Sequence, residues 1–192
     1  DVAVVGDADL VIRGILGEVA RHSGVGRLSP EARLEELEAR KAALLHEVDG
    51  ECTTTEQPIP AKRYVHEVSN VFGNDTVLVN ENGSQDAWSY VYPFYIVGDD
   101  SACVTVAEQT CMGMGVVGAI AGKLTQPYKN VVCITGDGAF QMYMKELPTA
   151  AQYGAGCTWM VLNNRAFGWP MYYQMQTVGW NVTNVDVQSA FA

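Results

Sequence analysis

From about residue 56 the chain alternates short, continuous apolar runs with segments of helical periodicity, and this alternation limits the fold more than any other feature. The runs Thr76-Val-Leu-Val-Asn80, Val131-Val-Cys-Ile134 and Cys157-Thr-Trp-Met-Val-Leu-Asn163 lack the polar–apolar alternation of a strand with one wet face. A strand without a polar face must be covered on both sides, which a parallel sheet between two helical layers provides. The spacing predicts strands at 76–80, 102–106, 130–135 and 157–163. It predicts helices at 60–72, 85–94, 113–124 and 141–154 (interrupted near Pro148), and another from about 168. The expected class is α/β, a parallel sheet with helices on both faces. In such sheets ligands bind beyond the carboxyl ends of the strands.

The first 55 residues read differently. Asp1-Val-Ala-Val-Val5 suggests a strand, followed by an amphipathic helix through Leu10, Ile12, Ile15, Leu16 and Val19. We expect residues 1–24 to be the end of another α/β domain. Within 25–55, Ser29-Pro30-Glu31 supplies a hydroxyl cap, a proline at the first helical position and an acid in the first turn. That segment is expected to be a connector helix. Residues 56–192 are then the ligand-binding domain, expected to lack its last elements.

The formal charge of −10 argues against a nucleic-acid partner, because nothing neutralises a run of phosphates. A small anion held by backbone N–H groups and a metal stays compatible with it. Five cysteines without a CxxC pair predict reduced, mostly buried thiols and a cytoplasmic location. The three histidines match no zinc spacing, and no apolar stretch is long enough to span a membrane.

Three loops fall at predicted strand ends: Asn80–Gln85, Gly136–Gly138 and Asn163–Ala166. Taken singly, each can be only a turn, since Gly, Asn and Asp are turn formers. A rival signal is Gly113-Met-Gly115-Val-Val-Gly118, which fits a dinucleotide fingerprint, with Asp137 placed 19 residues beyond Gly118 as a ribose acid would be. That reading implies an NAD(P)-dependent dehydrogenase. Against it, Glu108-Gln-Thr-Cys-Met112 is a polar approach to the glycines, and a second glycine turn at Asp137 is left unexplained. The pairing of the second and third loops favours another chemistry. Asp137 and Asn164 end two strands joined by one helical segment, which brings a carboxylate and an amide oxygen together. With the carbonyl of Ala166 they form a hard-oxygen set suited to Mg²⁺ and two phosphate oxygens. Gly138 allows close approach, and the N–H groups of Ala139 and Phe140 can face the anion.

Gly136-Asp137-Gly138, then 24 residues, then Asn163-Asn164 resembles the metal–diphosphate motif of thiamine-diphosphate-dependent enzymes. The surrounding text, "GDGAFQMYMKELPTAAQYGAGCTWMVLNNRAFG", is similar to the branch holding acetolactate synthase, benzoylformate decarboxylase and 2-hydroxyacyl-CoA lyase. The resemblance implies the C-terminal, pyrophosphate-binding part of such an enzyme. It implies thiamine diphosphate and Mg²⁺ as cofactors, with Asp137, Asn164 and Ala166 at the metal. FAD, carried by some relatives, is left open without being indicated.

By the same resemblance Gly83, Ser84 and Gln85 belong to the first diphosphate loop, and Gly136, Gly138, Ala139, Phe140 and Asn163 to the second. Met112 matches the bulky residue that bends the cofactor, and the backbone of Thr110 and Met112 matches the groups facing its pyrimidine. Phe167, Trp169 and Met171 are placed at a substrate pocket. Many relatives have a "GGLG" stretch where this chain has Ala107-Glu-Gln-Thr110, a departure that bears on the substrate more than on the cofactor.

The implied chemistry makes or breaks a C–C bond beside a carbonyl, as in a 2-oxo acid decarboxylase or carboligase, with 2-hydroxyacyl-CoA lyase as the alternative. The substrate would be a small 2-oxo acid or an acyl-CoA type molecule. No residue here matches the activating glutamate of the family. The resemblance therefore implies a pyrimidine-binding domain or subunit that supplies it, in a homo- or hetero-oligomer (dimer or tetramer).

Overall fold

The computed structural model describes residues 3–22, 29–105 and 111–178. It divides into two compact units, Asp1–His46 and Glu47–Ala192. In the first unit, α1 (Ala8–Arg21) is capped by Asp7, whose carboxylate accepts from the N–H groups of Asp9 and Leu10. The strand expected at 1–5 is not formed over residues 3–5, and residues 1 and 2 lie outside the described residues. The apolar positions of α1 remain exposed in the described unit. Helix α2 (Pro30–Thr53) starts where its sequence signals put it, with Ser29 Oγ accepting from Ala32 N–H.

The second unit continues with α3 (Ala61–Phe72), β1 (Thr76–Asn80), α4 (Ser84–Trp88), β2 (Ala102–Val104) and α5 (Met114–Thr125). Then come β3 (Asn130–Gly136), α6 (Asp137–Tyr143), a 3₁₀ turn (Met144–Glu146), α7 (Leu147–Gln152), β4 (Thr158–Leu162) and α8 (Gly168–Val178). The four strands pair in parallel in the order β2-β1-β3-β4. The α/β class and the parallel sheet are as expected.

The unbroken apolar runs have the predicted consequence. Val77, Val79, Val131 and Cys133 share one face of the sheet and pack with Ala119 of α5. Leu78, Val132 and Ile134, one residue out of phase, are wholly buried on the other face. β4 differs. As an edge strand among the described residues it is only partly covered, with Val161 38 % exposed.

Two helices depart from expectation. The segment 85–94 is helical only to Trp88, with Ser89 as its C-cap, its hydroxyl donating to Asp86 O. The segment 141–154 is already helical at Asp137, and the interruption expected near Pro148 is a break into two helices around the 3₁₀ turn. Pro148 has no N–H to continue the first ladder, yet suits the first turn of the next.

All five cysteines are free thiols, but they are not equally covered: Cys52 and Cys133 are buried while Cys111 is exposed. Burial pushes the Cys133 thiol well above its usual range. Cys111 is therefore expected to react first with a thiol reagent at neutral pH, with Cys133 unreacted until denaturant is added. Peptide mapping of the alkylated protein checks the order.

Candidate functional site

Because β1, β3 and β4 run parallel and in register, with Asn80 opposite Ile134 and Gly136 opposite Leu162, their carboxyl ends open onto one side. The loops leaving those ends are the three singled out in the sequence. Together with Met112 they line a cleft of about 470 Å³. Of the candidate residues, Gly83, Ser84, Gln85, Met112, Gly136, Asp137, Gly138, Ala139, Asn163, Asn164, Ala166, Phe167 and Trp169 all line it. Phe140 and Met171 are half-buried and not among its lining residues, and Thr110 lies outside the described residues.

The second and third loops are tied directly. Arg165 donates its N–H to Asp137 Oδ2 at 2.9 Å and to Asn163 Oδ1 at 3.2 Å. To aim that N–H, Arg165 adopts φ 58°, a left-handed conformation costing a non-glycine residue on the order of 1 kcal/mol. Asn164 Oδ1 accepts from Ala166 N–H at 3.1 Å. Gly168 makes room for this side chain, since a Cβ there would stand 3.0 Å from Asn164 Nδ2. Asp137 is 8 % exposed, so its carboxylate is nearly withdrawn from bulk water at the cleft floor.

No Lys, Arg or His lines the cleft among the described residues, and Asp137 is its one ionisable acid. Nor do the described residues hold any group of three or more His, Cys, Asp or Glu suited to a metal. A cation here would thus rely on one carboxylate with amide and carbonyl oxygens, a hard donor set of the kind Mg²⁺ takes. Asp137 keeps Oδ1 for it, and each amide or carbonyl oxygen has a second lone pair.

Sequence reasoning missed the lining residues that precede β1. Pro58, Ile59, Ala61 and Tyr64 line the cleft from there. Burial pushes the Tyr64 phenol up to about 12, so it stays neutral at neutral pH. No strand end or glycine turn marks these residues in the sequence.

Glu81 was also missed as a candidate. It is wholly buried, and its Oε1 and Oε2 accept from Asn82 N–H at 2.9 Å and Gly115 N–H at 2.8 Å. This contact bears on the dinucleotide reading. The start of α5 is occupied by a carboxylate of the chain itself, and a Cβ on Gly115 would stand 2.8 Å from Asn80 O. Gly115 and Gly118 thus serve close packing against β1, while Gly113 makes room for the Tyr143 ring. The strand before them, β2, ends at Val104, well short of Gly113. Neither feature fits a pyrophosphate bound at that helix start.

The family description "Thiamine pyrophosphate enzyme, C-terminal TPP binding domain" matches residues 81–191. An acetolactate synthase large subunit from Haemophilus influenzae is 28 % identical over 174 residues, 90 % of this chain and 29 % of that protein. An acetolactate synthase from Arthrospira platensis is 46 % identical over 70 residues, 36 % of this chain and 12 % of that protein. Among solved structures, the thiamine diphosphate-dependent 4-hydroxybenzoylformate decarboxylase of Rhodococcus jostii RHA1 superposes with a TM-score of 0.61. It is 21 % identical, with 70 % of this chain and 25 % of that one covered. The chain spans less than a third of the length of each curated relative compared, 31 % in the longest match.

Proposed function

The chain belongs to the thiamine pyrophosphate enzymes, of which it carries the C-terminal TPP-binding domain, and from that premise we propose that the cleft holds thiamine diphosphate through Mg²⁺. The observation carrying this is the cleft's charge. It has no cationic side chain among the described residues and one buried carboxylate, yet its loops are of a kind that suits phosphate. A diphosphate beside Asp137 would be repelled without a metal between them. Asp137 and Asn164 would supply side-chain oxygens and Ala166 its carbonyl. Gly83, Ser84 and Gln85 would hold the diphosphate together with Gly136, Gly138, Ala139 and Asn163. Met112 would support the cofactor's rings.

When bound, thiamine diphosphate supplies a nucleophilic carbon and an electron sink. The chain's own residues bind, orient and dry the site: Tyr64 is a neutral lining residue, while Phe167 and Trp169 close the cleft with apolar surface. We read the whole enzyme as acetolactate synthase-like, joining or cleaving a C–C bond next to the carbonyl of a small 2-oxo acid. The names of the relatives support that choice. In this reading residues 1–24 end a middle domain, 25–55 connect, and 56–192 are the pyrophosphate-binding domain. The activating glutamate comes from a pyrimidine-binding domain elsewhere in an oligomer.

Calorimetric titration with thiamine diphosphate tests the metal. Chelating divalent ions is expected to weaken binding at least about a hundredfold, and restoring Mg²⁺ to recover it. Equal affinity with and without the metal would refute the Mg²⁺-bridged mode.

A further inference from the structure

Glu81 is wholly buried, does not line the cleft, and has no role in the chemistry assigned above. Its bonds reach three elements. Its N–H donates to Ile134 O at the end of β3, at 3.0 Å. Its carbonyl accepts from Gln85 Nε2 at 3.1 Å, and its Oε1 accepts from Asn82 N–H, so both ends of the first glycine loop hang on it. Its Oε2 accepts from Gly115 N–H at 2.8 Å, at the start of α5 and two residues after Gly113. The approach is close. A Cβ at Gly115 would stand 2.8 Å from Asn80 O, and one at Gly113 would meet the Tyr143 ring at 2.0 Å.

We propose that Glu81 is a positioning residue that locks the Asn82–Gln85 loop to the Met112–Gly113 turn, so that both walls of the cleft keep one spacing. The proposal rests on the cofactor reading of that cleft. A carboxylate suits the task because it is acceptor-only: it can take several converging N–H groups at once, where an amide would turn its own donors on some of them. Burial holds the carboxyl above its usual range, and the N–H groups of Asn82, Gly113, Gly115 and Val116 offset that rise only in part. Those are the bonds a charged form needs. Glu81 acts on the cofactor only through what it holds, and Met112 is the group it would hold in place.

The test is a double-mutant cycle in the full chain, with E81Q, M112A and the double variant, read as Mg²⁺-dependent thiamine diphosphate affinity. Each single change is expected to weaken binding about tenfold, and the double change little more than either alone, because a mispositioned Met112 has nothing left to lose. Amide exchange without ligand should quicken at Gly113–Gly115 in E81Q and stay slow along β3. If E81Q does not fold, E81D (charge kept, one methylene shorter) runs the same cycle. Single losses that multiply to about a hundredfold, or unchanged exchange at Gly113–Gly115, would overturn the role of Glu81 while leaving the cofactor reading intact. A wild-type chain that does not bind thiamine diphosphate with Mg²⁺ would overturn both.

Discussion

Replacing Asp137 by alanine is expected to abolish Mg²⁺-dependent binding of thiamine diphosphate, a loss of about a hundredfold or more, ~3 kcal/mol, with the fold retained. Asp137 is the only acid lining the cleft among the described residues, so no neighbour can take over its charge. The structural cost is small by comparison. Arg165 N–H loses its 2.9 Å bond to Oδ2 but keeps Asn163 Oδ1 at 3.2 Å, and losing one such bond costs about 1 kcal/mol. Asp137→Asn separates the two roles. It keeps an oxygen for Arg165 N–H but removes the charge, so melting should match wild type while metal-dependent binding is largely lost. Calorimetry of both variants beside their thermal melts is the check. A carboxylate serving only as a turn acceptor would leave Asp137→Asn binding like wild type.

Gly115→Val is expected to be the most disruptive single change at the site, lowering stability by about 3 kcal/mol. A Cβ there would stand 2.8 Å from Asn80 O and 3.1 Å from Glu81 Cα. These are backbone atoms of a buried strand and its continuation, and they cannot swing aside as a flexible side chain would. Relief must come from moving α5 off β1, which breaks the packing of Ala119 on Val77 and Val79 and pulls Gly115 N–H from Glu81. For a unit of this size the loss corresponds to a fall in Tm of about 10 °C. Gly50→Ala is the control. That helical glycine has no atom within 4 Å of an added Cβ, so alanine should be neutral or gain up to about 1 kcal/mol. Equal melting temperatures for Gly115→Val and wild type would show that the α5–β1 approach is looser than described.

Much of this was legible in the sequence, and the reason is periodicity. β1 coincides with its predicted span, and β3 and β4 lie within a residue of theirs, because runs without a wet face fit little besides a doubly covered parallel sheet. The same topology brought Gly83, Asp137 and Asn164 to one cleft: their loops leave neighbouring parallel strands at the same end. What stayed hidden depends on contacts between distant segments. Nothing near Tyr64 or Ile59 in the chain says that they wall the same cleft. The role of Glu81 needs Gly115, 34 positions away, before its carboxylate has a purpose. The apparent dinucleotide fingerprint, set aside above in favour of the metal–diphosphate pairing, has a related origin. Glycine spacing records close approach, and only the fold shows that what approaches α5 is the chain's own strand rather than a ligand. α4 also ended early, at Ser89, a detail below the reach of helical periodicity.

The most direct test of the central claim is native mass spectrometry of the full chain with thiamine diphosphate, Mg²⁺ and NADH offered together. The account predicts a bound species heavier by one thiamine diphosphate and one Mg²⁺, lost in Asp137→Ala. An adduct of NADH in its place, or thiamine diphosphate bound without metal and unaffected by Asp137→Ala, would contradict it.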